Sequence, residues 1–303
     1  MFNPRPAWST FTPGFGAPIA PTRQLIPYAV SAIVKRINKY NYGPITGRPL
    51  DCVVMTGDGT DNRATIELEW LLTLLSGGSF YANTGDSAKF EDVGSFQNPY
   101  YWLPDSSHTD LYKHHGFPVI PDFYSALLET PVESPGLNTR WYSLIGNHDS
   151  CFMGAFPHAL KTDSLYTRGR KIVQHDVDDI VGTAYEGTED LVENITGELL
   201  RGKAEIYEDV TPDERRAPFT RETFVKMHHE ERFVGAGPAG HGLPEVGRLY
   251  YTFPITDEID GIVLDTNFPA GAAGGWMGGR QMEWLKASYD SAPTTTSSGT
   301  AQW

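Results

Sequence analysis

Two short segments of the chain each place an oxygen-bearing side chain directly after a glycine. Residues 57–62 read GDGTDN and residues 146–149 read GNHD, and each segment follows a short apolar run. Glycine allows the backbone to turn tightly, so the side chain that follows points into the crevice beyond the run. The carboxylate of Asp58 has two oxygens and can bridge two cations, and the carbonyl of Asn147 is a neutral oxygen ligand. The pattern predicts a divalent metal site that uses Asp58 and Asn147.

The residues after Asn147 predict acid–base chemistry at the same place. His148 is positioned to donate a proton or a hydrogen bond to a phosphoryl oxygen, because imidazole changes protonation near neutral pH. Asp149 could orient that imidazole and raise its pKa, as carboxylates do for metal-site histidines. We therefore expect His148 and Asp149 to be the catalytic residues.

Other polar residues near these segments have plainer interpretations. Asp61 and Asn62 are more typical of the residues that cap the start of the following helix than of metal ligands. Asp265 follows another apolar run, and for this residue a structural hydrogen-bonding role is favoured.

The hydrophobic pattern predicts strands that alternate with helices. Apolar spacing of three and four residues predicts helices, and continuous apolar runs of four or five residues predict strands, of which the first is expected to be buried on both faces. Helices are expected at 22–40, 65–75, 120–129 and 281–289, with weaker patterns at 186–200 and 220–230. Strands are expected at 52–55 and 141–145, with a hairpin at 250–253 and 261–264. This alternation predicts an α/β fold with a mostly parallel or mixed sheet, in which ligands lie beyond the carboxyl ends of the strands.

Composition limits the class of protein. The 303 residues are 40% hydrophobic and 20% charged, which is ordinary for a folded protein with a normal core. The formal net charge of −14 repels nucleic acids and anionic membranes, so no nucleic-acid partner is expected and a bound phosphate needs a locally positive group. No apolar run approaches the roughly 20 residues of a membrane span. Cys52 and Cys151, the two cysteines, are expected to be small buried side chains rather than a disulfide.

The organisation along the chain is expected to be one main domain. Residues 1–21 read as an irregular segment, 22–290 as the domain, and 291–303 as a disordered tail. Two loop-rich insertions are expected at about 79–140 and 176–232. The first residues lack the pattern of a signal peptide, which predicts a cytoplasmic protein, with export left open should the true N-terminus lie further upstream.

The two segments together resemble the central signature of the calcineurin-like metallophosphoesterases. GD-x-x-D-N after one strand and GNHD after a later one are typical of that superfamily. The stretches GPITGRPLDCVVMTGDGTDN, SPGLNTRWYSLIGNHD and GIVLDTNFPAGAAGGWMGGRQMEWL are similar to a bacterial subgroup of it. The resemblance covers roughly residues 20–290 and implies an α/β/β/α sandwich with mixed sheets.

The resemblance also implies a mechanism and a ligand set. Asp58 would bridge two metal ions, Asn147 would bind one of them and the phosphate, and His148 would be a general acid or would stabilise the transition state, with Asp149 as its partner. The implied cofactors are two divalent ions, Mn, Fe or Zn, and the implied substrate is a small-molecule phosphate monoester or diester. A metal-activated hydroxide attacks phosphorus in line in such enzymes.

The sequence departs from the family pattern at three motifs. We find no Asp-x-His before Asp58, and neither a lone His nor Gly-His-x-His after 281–289. The chain is therefore expected to be a fragment of a longer protein or a degraded copy with an incomplete sandwich and weak metal binding. The alternative function is a catalytically impaired remnant or an interaction protein. A nucleotide-binding module is less consistent with the sequence, because no glycine-rich phosphate loop follows a strand.

Overall fold

The computed structural model of the chain describes residues 25–91, 102–110, 112–151, 154, 166–174, 206–233, 243, 248–268 and 275–290. The helices in this part of the chain are α1 (Ile26–Lys39), α2 (Thr65–Ser76), α3 (Phe123–Glu129), α4 (Asn147–Ser150), α5 (Arg221–His228) and α6 (Gly279–Asp290). The strands are β1 (Val53–Met55), β2 (Gly78–Phe80), β3 (Val132–Ser134), β4 (Trp141–Ser143), β5 (Arg170–Gln174), β6 (Ile206–Asp209), β7 (Tyr251–Pro254) and β8 (Asp260–Val263). Three short 3₁₀ turns lie at Lys113–His115, Glu214–Arg216 and Glu231–Phe233. The described residues therefore have mixed α/β content.

The strands form four two-stranded sheets. β1 and β4 pair in parallel, with Val53 opposite Trp141 and Met55 opposite Ser143. The other pairs, β2 with β3, β5 with β6 and β7 with β8, are antiparallel. Because parallel strands end at the same edge, the loop after β1 and the loop after β4 must start side by side.

The core is built around α2, which is apolar on nearly all sides. Five leucines of this helix are buried, and they belong to the same hydrophobic cluster as Trp141 of β4, Phe224 of α5 and Tyr251 of β7. A helix that is apolar all round is stable only when other elements surround it. The helix thus shares its hydrophobic cluster with the parallel strand pair.

An amphipathic helix, α1, covers another side of this core. Val34 is buried against the cluster, whereas Ile33 is largely exposed. Ser31 donates a hydrogen bond to the carbonyl of Glu133, and Asn38 donates one to the carbonyl of Gly136. These bonds fix α1 against β3 and the turn that follows it.

Most of the predicted elements are confirmed, but the predicted burial of β1 is wrong. The expected helices at 22–40, 65–75, 120–129, 220–230 and 281–289 and all four expected strands are present within a few residues of their predicted bounds. However, Val54 is 39% exposed between the half-buried Val53 and Met55, so β1 is not buried on both faces. This alternation is typical of a strand with one covered face.

Described parts of both stretches expected to be insertions contribute to the core. Within 79–140, Val132 and Leu137 belong to the central hydrophobic cluster. Within 176–232, Phe219, Phe224 and Met227 belong to it as well. The helical pattern of α5 was predicted, but the charged composition around it concealed the burial of Phe224, Val225 and Met227 in the central cluster.

Several predictions fall on residues outside the described ranges. These are the irregular segment at 1–21, the helical pattern at 186–200 and the tail at 291–303. Cys52 and Cys151 are free thiols, as predicted, but only Cys151 is buried, and the expected burial of Cys52 is wrong because this side chain is half-buried. Among the described helices, none combines the length and the apolar character that crossing a bilayer requires.

Replacing Phe224 with alanine tests whether α5 belongs to the core. The ring is almost completely buried, so Phe224→Ala should lower the free energy of unfolding by about 3–5 kcal/mol, through lost burial and the cavity left behind. Urea unfolding measures this change. Tyr289→Ala is the matched control, because its ring is 76% exposed. Equal effects of the two substitutions would show that α5 lies outside the core.

Candidate active site

The loop after β1 and the loop after β4 are in direct contact. The backbone N–H of His148 donates a hydrogen bond of 3.1 Å to Oδ1 of Asp58, across 90 positions of the sequence. A Cβ added at Gly57 would lie 2.8 Å from the Cα of Gly146, and a Cβ added at Gly146 would collide with Oδ1 of Asp58. Only glycine allows the two loops to approach this closely. The structure thus brings the Asp58 and Asn147 segments together, as the sequence predicts.

The backbone of Asp58 adopts an uncommon conformation. Its φ is 52°, in the left-handed region, and Gly57 before it has a φ of 94°. Non-glycine residues enter this region rarely, although aspartate and asparagine do so more readily than most. Such conformations concentrate at functional loops, where surrounding contacts hold them in place. Here the contact is the bond from His148 to the Asp58 carboxylate.

Asn147 is oriented by a residue that the sequence pattern did not single out. Its Nδ2 donates a hydrogen bond of 2.8 Å to the carbonyl of Gly154, which leaves its carbonyl oxygen available as a ligand. Gly154 has a φ of 72°, and a Cβ at this position would lie 2.5 Å from Nε2 of His148. Its backbone therefore lies directly against the Asn147 and His148 side chains.

Asp149 connects the two loops. Its carboxylate is buried and accepts hydrogen bonds from the backbone N–H groups of Gly59, Thr60 and Gly146 and from the Thr60 hydroxyl, at 2.8–3.3 Å. Burial raises the pKa of Asp149, and the hydrogen bonds from Gly146 and Thr60 oppose that shift. Because these donors occupy both carboxylate oxygens, Asp149 does not orient His148 as expected.

Asp61 contacts His148 instead. Nδ1 of His148 lies 2.9 Å from the carbonyl oxygen of Asp61 and 3.5 Å from its Oδ1. A proton on Nδ1 therefore donates to the Asp61 carbonyl, and Nε2 is the nitrogen left for a ligand. The side chains of His148 and Asp149 point apart because residues 147–150 form one helical turn, in which successive side chains point about 100° apart.

The prediction that Asp61 and Asn62 cap α2 is wrong. The N-cap residue is Ala64, and the carboxylate of Glu67 accepts hydrogen bonds from the backbone N–H groups of Asn62 and Ala64 at 3.1 and 2.9 Å. Asn62 donates its side-chain N–H to the Asp61 carboxylate at 2.9 Å.

Glu67 is completely buried, and its Oε1 has no hydrogen-bond partner in the described part of the chain. Burial, and secondly the nearby Asp61 carboxylate, raise the pKa of Glu67 well above its ordinary value.

Asp265 has the structural role that the sequence favoured. Arg221 forms an ion pair with its carboxylate, and Asn267 donates to the same carboxylate at 2.9 Å and to the carbonyl of Ile145 at 3.0 Å. The end of β8 is therefore tied to the end of β4. Gln281 adds two hydrogen bonds to the backbone of Asp265.

The described side chains supply only part of a metal site. Within the ranges given above, no group of three or more His, Cys, Asp or Glu side chains is arranged to hold an ion. Asp58 and Asn147 could supply two oxygen ligands, whereas zinc takes four ligands and magnesium six. These two residues alone fit a weakly held divalent ion.

The arrangement can combine a cation at the oxygen donors with proton transfer at Nε2 of His148. Both features lie on the same pair of loops, at the carboxyl ends of parallel strands, where α/β proteins bind their ligands. Comparison of the chain with protein-family models, curated proteins and solved structures gives no match.

Replacing Asp149 with asparagine tests its role as the connection between the loops. The amide NH₂ would face N–H groups that now donate to a carboxylate oxygen, so Asp149→Asn should lower the free energy of unfolding by about 1–3 kcal/mol. Chemical denaturation measures this change, with the exposed Asp257→Asn as the control. A variant as stable as wild type would show that these hydrogen bonds do not stabilise the fold.

Replacing Glu67 with glutamine tests the pH dependence that its burial implies. The pKa of Glu67 is raised above its ordinary value of 4.5 in the folded protein. As the pH rises above 4.5, Glu67 ionises in the unfolded chain before it ionises in the folded protein, so the free energy of unfolding of wild type falls. Glutamine cannot ionise, so the stability of Glu67→Gln relative to wild type should increase with pH. Urea unfolding between pH 4 and 8 measures the difference, with the exposed Glu129→Gln as control. A difference independent of pH would contradict the raised pKa.

Proposed function

We propose that this chain carries part of the site of a metal-dependent phosphoric ester hydrolase of the calcineurin-like metallophosphoesterase type. The observation that carries the proposal is the 3.1 Å hydrogen bond from the His148 N–H to the Asp58 carboxylate. It joins the GD and GNHD loops at one end of a parallel strand pair. The glycines at both points of contact, Gly57 and Gly146, let the two loops approach closely enough for Asp58 and Asn147 to share a ligand.

Each residue would have a distinct role in that reaction. Asp58 and the Asn147 carbonyl would hold the ion, which would polarise the phosphoryl group and supply a hydroxide nucleophile. Asp61 fixes Nδ1 of His148, so Nε2 would hydrogen-bond a phosphoryl oxygen or donate a proton to the leaving group. Asp149 would act by holding the loops in register rather than by touching the substrate.

The proposal extends to the ion and the ester. Following the family resemblance, the ion would be Mn, Fe or Zn, and the substrate would be a small-molecule phosphate monoester or diester. With two side-chain ligands in the described ranges, we expect weak ion binding and slow turnover.

A second candidate is an impaired remnant or an interaction protein that keeps the loop contact without a working metal centre. The small number of candidate ligands in the described part of the chain favours it. The two functions differ in the number of ions held, because the remnant would bind clearly fewer than two per chain.

Replacing Asp58 with asparagine tests the proposed metal site. Asparagine tolerates the left-handed backbone and can still accept the bond from His148, so the substitution removes the charge and keeps the loop. Bound Mn, Fe or Zn after equilibration should fall at least about tenfold, since a carboxylate–metal contact is worth more than about 1.4 kcal/mol in affinity. Elemental analysis after equilibrium dialysis measures the metal content.

The control for this measurement is Asp51, which lies just before the same strand, β1. Asp51→Asn removes the same charge at the opposite, amino end of β1, where Asp51 is exposed, and should leave metal content unchanged. Equal metal content in wild type and Asp58→Asn would falsify the metal site, and an equal loss in both variants would indicate unspecific attraction to an acidic chain.

A further inference from the structure

A cavity of about 740 Å³ lies beside the end of α4. Its wall includes residues 149–151 and the start of α6 at residues 278–281, and it does not include Asp58, Asn147 or His148. Its volume lies within the range of about 300–1,000 Å³ that is usual for small-molecule sites. The cavity is therefore large enough for a ligand of its own.

Four arginines line this cavity: Arg63, Arg221, Arg248 and Arg280. Arg221 is paired with Asp265, and Arg63 donates to the carbonyl of Phe219. For Arg248 and Arg280, no carboxylate of the described residues lies within ion-pair distance. In a chain with a net charge of −14, guanidinium groups gathered around one cavity create a local site for an anion.

Arg248 is held in place without losing its charge. Its guanidinium lies 5.6 Å from the ring centre of Tyr250 and 5.9 Å from that of Trp284. Such cation–π contacts fix the side chain and leave its N–H groups available to an anion. Arginine binds phosphate oxygens with two parallel hydrogen bonds, which lysine cannot do.

Exposed aromatic rings form a second part of the wall. Phe268 is 37% exposed and Trp276 is 49% exposed, and both line the cavity. The backbone N–H of Trp276 donates to the carbonyl of Thr266 at 2.9 Å, which fixes the Trp276 backbone next to the β8 end. Large rings left partly exposed at a concave surface are typical of sites that bind a planar apolar group.

We propose that this cavity binds an organic phosphate that carries an aromatic ring system, with a nucleoside monophosphate as the representative ligand. The phosphate would lie against Arg248 and Arg280, and the ring would stack on Trp276 and Phe268. A phosphate without a ring would leave the aromatic wall exposed to water, and a neutral nucleoside would leave the arginines without an anion. The two halves of the wall therefore select for both parts of the ligand.

This site does not depend on the proposed hydrolase function, since the metal residues do not line the cavity. Binding can therefore be measured with EDTA present, so that no metal ion contributes. A failure to bind the organic phosphate would not contradict the proposed metal site at Asp58. Conversely, the metal content of Asp58→Asn does not test binding in the cavity.

The test is isothermal titration calorimetry of the full chain with adenosine 5′-monophosphate, adenosine and inorganic phosphate. Adenosine 5′-monophosphate should bind at least about tenfold more tightly than either of the others, because it engages both parts of the wall. The double variant Arg248→Gln/Arg280→Gln should raise its Kd by about tenfold or more, and Trp276→Leu by about tenfold. All three side chains are exposed, so the variants should fold, which circular dichroism verifies.

Matched controls separate this site from general electrostatic attraction. Arg36→Gln removes an exposed arginine of α1 that does not line the cavity, and it should leave the Kd unchanged. The proposal is overturned by absent binding of adenosine 5′-monophosphate, by binding no tighter than that of inorganic phosphate, or by an Arg36→Gln effect equal to that of the double variant. Trp276→Leu should not change the Kd for inorganic phosphate, and a loss there would contradict a stacking role.

Discussion

The buried carboxylate of Asp149 is the interaction on which the candidate site depends. Two of its donors, Gly59 and Thr60, belong to the loop after β1, and a third, Gly146, belongs to the loop after β4. A buried carboxylate is stable only when donors replace the water it has lost, so the loops are held at a separation set by hydrogen-bond length. The contact between Asp58 and the His148 backbone follows from that separation. Asp149 thereby determines where Asp58 and Asn147, the proposed oxygen ligands, lie without being one of them.

The same closeness explains the glycines and the strained backbone. Gly57 and Gly146 stand where the loops touch, and Asp58 between them takes a left-handed conformation. Each feature reduces the stability of an isolated loop, because glycine loses more conformational freedom on folding and a left-handed aspartate is strained. The burial of α2 and β4 directly behind the loops offsets these costs. A rigid core below a constrained pair of loops is what a preorganised site requires.

The sequence predicts the elements and the meeting of the two loops, because hydrophobic period and glycine position are local properties. It does not predict side-chain direction within the site. Asp149 follows His148 directly, yet one helical turn points the two side chains apart, and His148 contacts Asp61 instead. The contact of Gly154 with Asn147 and the hydrogen bonds of Glu67 with Asn62 and Ala64 could not be predicted from the sequence either. The burial of Phe224 within a charged stretch was also concealed, since its apolar neighbours in the core come from distant positions.

An acidic chain that bound phosphate would need positive potential locally, and the two proposed sites would supply it by different means. At the pair of loops after β1 and β4, the positive charge would come from a cation held by the Asp58 carboxylate and the Asn147 amide, so it would depend on an ion from solution. In the cavity beside α4, guanidinium groups such as Arg248 and Arg280 supply permanent charge. Residues 149–151 line that cavity, while Asn147 and His148, at the start of the same turn, belong to the loop pair. One helical turn would thus separate a proposed charge that depends on a metal ion from one that does not, and an occupant of the cavity would lie against the segment that sets the geometry of the other site.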